Sequence, residues 1–567
     1  MSLSSIIGAA GSALAASQTR IAVANLNVAN ADDPTYTRKT VTSAATTTTV
    51  ALSDATILRV ADSYLSKTVL KTAAAAGGDA VTDSYLQSYD AALGSTDGGG
   101  DISSLITAFS TALTALSSSA DATSKAQLIS DASALADGIK GLSAEVQDLR
   151  TQANSQIETT VGKVNQTLKS LASLNDQIAT VTAQGGDITA LEDQRDAALT
   201  TLSGLMGVSS YVTADNQLRV YTTGGDALLG TTAATLSYTA SSQLGANATY
   251  PGSIAGITLN GKDVTTSLTT GELGALVTLR DGTLPAEQDK LDALASTLIA
   301  QVNAVTNGGT SVPAPNTLTS ASTVAATDAF SATGTLRVAV TDSGGKLVST
   351  LDLDLSSYAT VGDLVTALNG VSGLSASIGV DGKLSITATD NANGVSLADD
   401  GAGVSARFGF NDLLTGSTAS DIGVTSKLIS DPGGLPTAAL SMTATLAVGD
   451  LALASGDSSI ADKLSNLLTR SVAFAATGGQ AAKTVSLSSY ASSFVSGAAA
   501  MIAAAASQSE ASTAASDAAT SRLRNLTAVN IDEELASLTQ YQTQYEANAQ
   551  LISIARELFD TLVSMVS

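Results

Sequence analysis

The first thirty positions of the chain carry a heptad. Leu3, Ile7, Ala10, Leu14, Ser17, Ile21, Ala24 and Val28 are spaced alternately by four and three. That spacing lines small and medium side chains along one stripe of a helix, as in a coiled-coil seam. Gly8 and Gly11 each weaken such a helix by about 1 kcal/mol relative to Ala, so it needs a partner to be ordered. The pattern stops at Asn30-Ala31-Asp32-Asp33-Pro34, where Asp and Pro mark a turn. The far end answers with Leu538, Tyr541, Tyr545, Asn548, Ile552, Ala555, Phe559, Leu562 and Val566, and Leu551, Leu558 and Met565 widen its apolar face. Asp532, Glu533 and Glu534 fall in the first turn, where negative charge suits the helix dipole. Asn548 places a polar group in the seam, which fixes register at some cost in stability. Seams at both ends predict that the two helices pair with each other or with other subunits, or form the edge of an ordinary two-helix core.

Between the ends, helical and strand-like stretches segregate. Ile57 to Leu205 reads as long helices with a break at Gly98 to Gly100; Leu105, Phe109, Leu113 and Leu116 form one stripe, and Leu142, Val146, Leu149, Ile157, Val161, Val164, Leu168 and Leu171 another. Tyr211 to Leu279 alternates like strands, as in Gln217-Leu218-Arg219-Val220-Tyr221 before Gly224-Gly225. A helix returns from Pro285 to Val305, with Pro285 in its first turn, and Val312-Pro313-Ala314-Pro315 reads as a linker. Thr317 to Ala447 predicts a strand-rich insertion in the order strand, strand, helix, strand, strand. Its helix runs from Val361 to Leu368, and Asp381-Gly382 turns its second hairpin. A helical pattern resumes at Ile460 and continues to the C-terminus. The expected fold is mainly α with β insertions: a terminal coiled-coil layer (1–40 with 528–567), a long helical bundle (41–210 with 284–310 and 458–527), a small β-rich segment (211–283) and a strand-rich outer domain (316–450).

A length of 567 residues accommodates three or four domains at about 150 residues each. With 27 Lys and Arg against 51 Asp and Glu, the net charge is -24, which argues against nucleic acid and against acidic lipid surfaces. Cys, His and Trp are absent. That removes thiolate nucleophiles, disulfides, zinc fingers and imidazole bases, and leaves carboxylates, Lys and Ser; it leaves the redox compartment open. The uncharged stretch Thr484 to Ser509 is Ser- and Ala-rich and broken by Gly497, so it reads as a packed helix rather than a membrane span. Met1 to Thr19 has no basic n-region and does not read as a cleaved signal peptide.

Gly77-Gly78-Asp79 and Gly185-Gly186-Asp187 read as turns rather than phosphate loops. Asp352 and Asp354 alternate with Leu and read as a solvated strand face rather than calcium ligands, with Asp399 and Asp400 no stronger. No catalytic, cofactor or metal site is expected, and the balance of chemistry favours a structural or binding protein.

Two end motifs are specific. Val23 to Lys39, VANLNVANADDPTYTRK, resembles the N-terminal signature of flagellar rod, hook and hook-associated proteins at Val23, Ala24, Asn27, Ala29, Asn30, Pro34, Tyr36 and Arg38, with Val28 a close replacement. Leu26, Asp33 and Thr35 depart from it, replacing Asn, Thr and Gly. Thr35 predicts that this turn either avoids a Gly-only backbone conformation or adopts one under strain. Val529 to Met565 is similar to the matching C-terminal signature at Val529, Asn530, Glu533, Gln542, Tyr545, Ala547, Asn548, Ala549 and Ile552. In the middle, Leu191 to Asp196 with Gln194, Arg195 and Asp196, then Gly271 to Leu276 and Arg280-Asp281, resemble the flagellar hook-associated protein 1 family (FlgK type). Met1 to Gly309 and Ile460 to Ser567 carry the resemblance; Thr317 to Ala447 does not.

The resemblance implies a structural protein of the bacterial flagellum, located outside the cell at the hook–filament junction. It implies a self-assembling ring in contact with hook protein and with the next junction protein. It further implies export by the type III apparatus without a cleaved signal, with an export chaperone on the C-terminal helix and no membrane insertion. The assembly seams would be Leu3, Ile7, Leu14, Ile21 and Val28 against Leu538, Tyr541, Tyr545, Asn548, Ile552, Phe559 and Leu562. Asn27, Asn30, Pro34, Tyr36 and Arg38 would form the signature turn. A hook or distal-rod axial protein is the nearest alternative, and an enzyme carried in the insertion a more distant one.

Overall fold

Aspartates start the long helices. In the computed structural model, which describes residues 3–42, 56–94 and 100–566, Asp62, Asp101 and Asp121 each accept backbone N–H groups of the first turn they precede, satisfying donors that have no partner within the helix. The helices are α1 (Leu3–Ala29), α2 (Ser63–Leu93), α3 (Ile102–Ser118), α4 (Ala122–Ala183), α5 (Thr189–Leu205), α6 (Gly271–Thr278) and α7 (Leu284–Thr306). They continue as α8 (Val361–Leu368), α9 (Val404–Phe408), α10 (Ser426–Ser430), α11 (Ser459–Ser465), α12 (Leu487–Thr527) and α13 (Ile531–Val566). α4 has 62 residues, so it runs for roughly 90 Å at 1.5 Å per residue. Gly98 and Gly99 of the expected break lie outside the described residues, as do the side chains of Leu3 and Val566.

The bundle has two cores strung along α4. In the first, Val146 and the α4 residues before it meet Tyr89 of α2, Phe109, Leu113 and Leu116 of α3, Leu291 of α7 and Phe494 of α12. In the second, Ile157, Val161, Val164, Leu168 and Leu171 meet α5, α6 and two small antiparallel sheets. Close packing explains one departure from expectation: Gly77 and Gly78 are not a turn but lie mid-way along α2. A Cβ on Gly77 would collide with the backbone carbonyl of Gly204 on α5, and one on Gly78 would stand 3.0 Å from the carbonyl of Gly271. Only glycine lets three backbones approach so closely. Gly185, at φ 69°, does turn the chain between α4 and α5.

The strands are β1 (Lys39–Thr42), β2 (Thr56–Arg59), β3 (Val208–Val212), β4 (Leu218–Thr222), β5 (Ala227–Leu229), β6 (Leu236–Ser237), β7 (Thr258–Leu259) and β8 (Lys262–Asp263). β1 and β2 pair antiparallel, so Ile57, expected in a helix, lies in a strand. Residues 271–283, expected in the β-rich segment, are helical: α6 runs through a π-turn at Leu279–Thr283 directly into α7.

In the insertion, β9 (Thr317–Thr323), β10 (Thr335–Thr341), β11 (Leu347–Asp354), β12 (Leu374–Ile378), β13 (Lys383–Ala388) and β14 (Gly394–Asp399) form two antiparallel sheets, ordered β11-β10-β14 and β12-β13-β9. The expected strand–strand–helix–strand–strand run is present as β10, β11, α8, β12 and β13, but β9 and β14 close the sheets from outside it. Their Ser, Thr and Gly content conceals them from a periodicity reading. The strand core spans Leu318 to Phe410. Leu413, Leu414, Ile422, Leu428 and Leu435 join the first bundle core instead, so the expected boundary at 450 does not follow the packing. Asp352 is not simply solvated, because it forms a paired hydrogen bond with the buried guanidinium of Arg337 at 2.7 Å.

The helical run expected from Ile460 is interrupted. After α11 the chain makes an antiparallel hairpin, Ser471–Phe474 with Lys483–Ser486, turned by Gly478 and Gly479 with φ 53° and 76°. One stretch of the Leu487–Met565 run is long and apolar enough to cross a membrane by length and composition. Its Leu487, Tyr490, Ala491, Phe494, Val495, Ala498 and Ile502 are buried against the bundle.

The terminal helices pair within the chain. Arg20 of α1 lies over the Tyr541 ring of α13, and Asn27 bonds Glu534; the two contacts fix an antiparallel register. The partner that α1 needs is α13, one of the two pairings that the seams left open. Along α1 the deepest positions are Ala10, Ala16, Ser17, Val23, Ala24 and Asn27, while Ile7, Leu14, Ile21 and Val28 are half-buried. On α13, Leu538, Tyr541, Tyr545, Asn548 and Ile552 are half-buried and Ala555 buried. Phe559 and Leu562 are instead 53% and 56% exposed. The same register sets Leu3 level with Leu558, so the last two turns of α13 extend past the described residues of α1.

Candidate functional site

The terminal pair joins the bundle through one buried polar knot. α1 ends at Ala29, and Asp33 accepts the backbone N–H and the hydroxyl of Thr35 at 2.8 Å. This side-chain-stapled turn does without a positive φ at Thr35, the unstrained of the two outcomes that the missing glycine left open. The chain then doubles back to place Tyr36, Thr37, Arg38 and Lys39 beside the last turns of α1.

Asn27 is the centre. It is 1% exposed, and its carboxamide is saturated: Nδ2 donates to the Lys39 carbonyl at 2.9 Å and to Glu534 Oε2 at 3.0 Å, while Oδ1 accepts from the Tyr36 hydroxyl at 2.9 Å and the Lys39 N–H at 3.0 Å. Arg38 Nε donates to Glu534 Oε1 at 2.7 Å, its guanidinium lies 3.4 Å from Glu533, and its N–H donates to the Thr527 carbonyl at 2.7 Å. The turn is thus fastened to the end of α12 and the start of α13. Glu534 is almost fully buried, so it does more than complement the helix dipole.

A second set of contacts runs to α5. Asp193 takes the Lys39 ammonium, the Thr37 hydroxyl at 2.6 Å and one Arg59 nitrogen at 3.4 Å. Arg59, on β2, also reaches Asp196 at 2.6 Å and Glu192 at 3.0 Å. Burial works against the Arg59 charge, but Asp196, Glu192 and Asp193 overcome it and hold the guanidinium above its usual range. Arg195 turns the other way: it is fully buried and donates to the Asn216 carbonyl at 2.8 Å, tying α5 to the β3–β4 hairpin. Burial pulls its guanidinium down, and its Nε has no partner. Burial, then Asp193, Asp187 and Glu534, pushes the Tyr36 phenol up to about 12, and the Lys39 ammonium sits 4.5 Å from its ring centre.

Of the sequence-derived residues, the structure brings Asn27, Tyr36, Arg38 and Asp196 to this joint, while Arg195 faces the β3–β4 hairpin. Among the described residues the Asn30 side chain bonds the Leu26 carbonyl and not the knot, Pro34 is exposed, and Gln194 points outward. Lys39, Arg59, Glu192, Asp193 and Glu534 were missed as site residues. The clustering of five carboxylates and an arginine within Glu192 to Asp196 and Glu533 to Glu534 was the available signal, since an acidic chain has few cations to share. Beside the knot lies a cavity of about 370 Å3, floored by Val69, Leu70, Leu199 and Leu523. Chemically the joint is a tie: its cations and carboxylates are engaged with one another. Among the described residues no cluster of His, Cys, Asp and Glu could hold a metal ion.

Comparison with known proteins bears on the same elements. Residues 86–317 match the family described as the flagellar hook-associated protein FlgK helical domain. Residues 526–565 match the flagellar basal body rod FlgEFG protein C-terminal family. The chain is 24% identical over 593 residues to flagellar hook-associated protein 1 of Escherichia coli (strain K12), covering 99% of this chain and 100% of that protein. The protein of the same name from Salmonella typhimurium (strain LT2) is 24% identical over 589 residues, with the same coverage. A solved structure, the flagellar hook junction protein FlgK from Burkholderia pseudomallei, is similar at a TM-score of 0.48 and 20% identity, over 81% of this chain and 99% of that one.

Proposed function

We propose that this chain belongs to the flagellar hook-associated protein 1 family, a reading supported by the 86–317 match and by similarity along the whole chain to proteins of that name, and that within it the α1–α13 pair is the surface that stacks on copies of itself and on adjoining flagellar proteins. The protein is a structural component of the bacterial flagellum, at the junction of hook and filament. The observation that carries the assembly reading is the outward face of α13. Leu535, Leu551, Ile554, Leu558, Phe559, Leu562, Val563 and Met565 are each about half exposed or more, in a chain carrying a net charge of -24. The cluster of such residues from Leu551 to Met565 at the end of α13 is a surface for protein contact.

In this reading the knot at Asn27, Arg38 and Glu534 sets the angle at which the paired helices leave the bundle. Hook protein on one side and the next junction protein on the other would be the lattice neighbours. The C-terminal helix would hold an export chaperone before assembly, and the type III apparatus would carry the chain out to the growing tip. The division into a terminal helix pair, a helical bundle, a small β segment and an outer strand domain describes how such a subunit would be layered. A rod or hook role draws on the 526–565 match alone; the 86–317 match favours the hook-associated family.

The test is a strain lacking this protein, viewed by electron microscopy. Hooks without filaments, with filament protein shed to the medium, are expected; intact filaments would overturn the reading. Complementation with a chain truncated before Asp532 is expected to leave a folded bundle that does not restore filaments.

A further inference from the structure

The outer face of the β3–β4 hairpin is unlike the rest of this acidic, aromatic-poor surface. Tyr211 and Tyr221, two of only twelve tyrosines in the chain, stand on the same side of neighbouring strands, because Tyr211 pairs with Arg219 and Ser209 with Tyr221. Their rings are near-parallel, 10° apart in tilt with centroids 6.0 Å apart, and Tyr211 is 53% exposed. Arg219, directly opposite Tyr211, lies on that face too and forms no hydrogen bond or ion pair among the described residues. Asp215, at the hairpin tip, is held below the usual carboxyl range first by the Thr213 hydroxyl and only last by Arg219, and makes no ion pair with it. Arg219 also lines a cleft of about 580 Å3 whose other walls include Thr182, Ile188, Asp215, Gln217 and Thr231, with the two tyrosines beside the cleft rather than in its walls.

Arg219 stands without an ion pair in a chain where 51 carboxylates face 27 cations, whereas Arg38, Arg59, Arg195, Arg280 and Arg337 each form one. Its planar fork matches a carboxylate in two-point geometry. The adjoining aromatic plates supply apolar ring faces with a hydroxyl at their edge, and the cleft adds hydroxyl and amide groups of the kind that fix a polar ligand's orientation. We propose that Tyr211, Tyr221 and Arg219 form a binding site for an acidic sugar: its ring face lies on the tyrosine plates, its carboxylate pairs with Arg219, and its hydroxyls face Thr182, Gln217 and Thr231. The site lies on the small β segment, away from the terminal helices, and is independent of the assembly reading.

Saturation-transfer NMR on the full chain tests it, with methyl N-acetylneuraminide and trigalacturonate as acidic probes, N-acetylglucosamine trimer as the neutral probe, and a hexaglutamate peptide as the non-sugar anion. Saturable binding of an acidic sugar is expected, weakened ten-fold or more in Arg219→Ala and in Tyr211→Ala, with little binding of the neutral trimer or the peptide. Circular dichroism melts should be unchanged, since both side chains are partly or wholly exposed; if one variant unfolds, Arg219→Gln or Tyr211→Ser takes its place. The proposal is overturned by no saturable binding of either acidic sugar, by affinities indifferent to both substitutions, by equal binding of the neutral trimer, or by tighter binding of the peptide.

Discussion

The Asn27 carboxamide and the Glu534 carboxylate meet at 3.0 Å across 507 positions of sequence. Through that contact the two chain ends are held side by side at the point where they leave the bundle. Each partner is also claimed by the turn, Asn27 by Tyr36 and Lys39 and Glu534 by Arg38, so the angle of the terminal pair is over-determined.

Substituting Asn27→Ala should loosen this end of the pair. It strands the Tyr36 hydroxyl, two backbone groups of Lys39 and one Glu534 oxygen, and leaving a buried polar group unsatisfied costs about 1–3 kcal/mol. Hydrogen exchange should show faster opening confined to α1, the turn and the start of α13, with α4 unchanged. Uniform protection identical to the parent would refute the central role given to Asn27.

Asp193→Asn should be more damaging than Asp196→Asn. Asp193 faces Lys39, which is 4% exposed, and Arg59, whereas Asp196 is itself 45% exposed. Removing one partner of a buried pair costs about 3–5 kcal/mol, and an exposed pair typically less than 1 kcal/mol. Denaturant titrations of the two variants and of Lys39→Met with Asp193→Asn give the ranking and the coupling.

Gly77→Ala should destabilise the bundle by about 1–3 kcal/mol, the usual range for overpacking, because its methyl group would meet the Gly204 carbonyl. A helix-propensity argument predicts the reverse, a gain of about 1 kcal/mol. The sign of the change in thermal midpoint decides between them.

Alkaline pH should open the joint late. Tyr36 and Tyr490 are pushed up to about 12, in both cases chiefly by burial, against about 10 in an unfolded chain. A folded pKa raised above the unfolded one stabilises fully below pH 10 and is lost as pH rises towards 12. Tyrosinate absorbance of the folded chain should therefore show a fraction that ionises only near 12, and stability should fall from about pH 10 upward. A single titration step near 10 with the fold intact would contradict the burial of these phenols.

Phe559→Asp with Leu562→Asp should leave the monomer's melting within about 0.5 kcal/mol of the parent, as for exposed positions generally, while filaments are not restored in a strain lacking the protein. Restoration of normal filaments would remove the exposed stripe from the assembly surface.

Much of the architecture was legible because it is written at short range. The terminal helices, the first-turn Pro285, the Asp381-Gly382 turn and the helix at Val361–Leu368 each depend on residues within one or two turns of one another, where local spacing and turn chemistry decide the element. The strands at β9 and β14 and the hairpin before α12 escaped that reading, since their stability comes from distant pairing partners rather than from their own alternation.

The sequence by itself determined that both ends are helices, that a turn follows the first, and that the chain is acidic without thiol or imidazole chemistry. Tertiary structure alone decided that Glu534 rather than another of the 51 acids takes Asn27 and Arg38, that Asp193 gathers Lys39 and Arg59, and that Gly77 is a helix contact instead of a turn. The physical reason is range. Periodicity and turn chemistry act between neighbours along the chain, while ion pairing and backbone contact depend on separation in space, which exists only once the helices have packed.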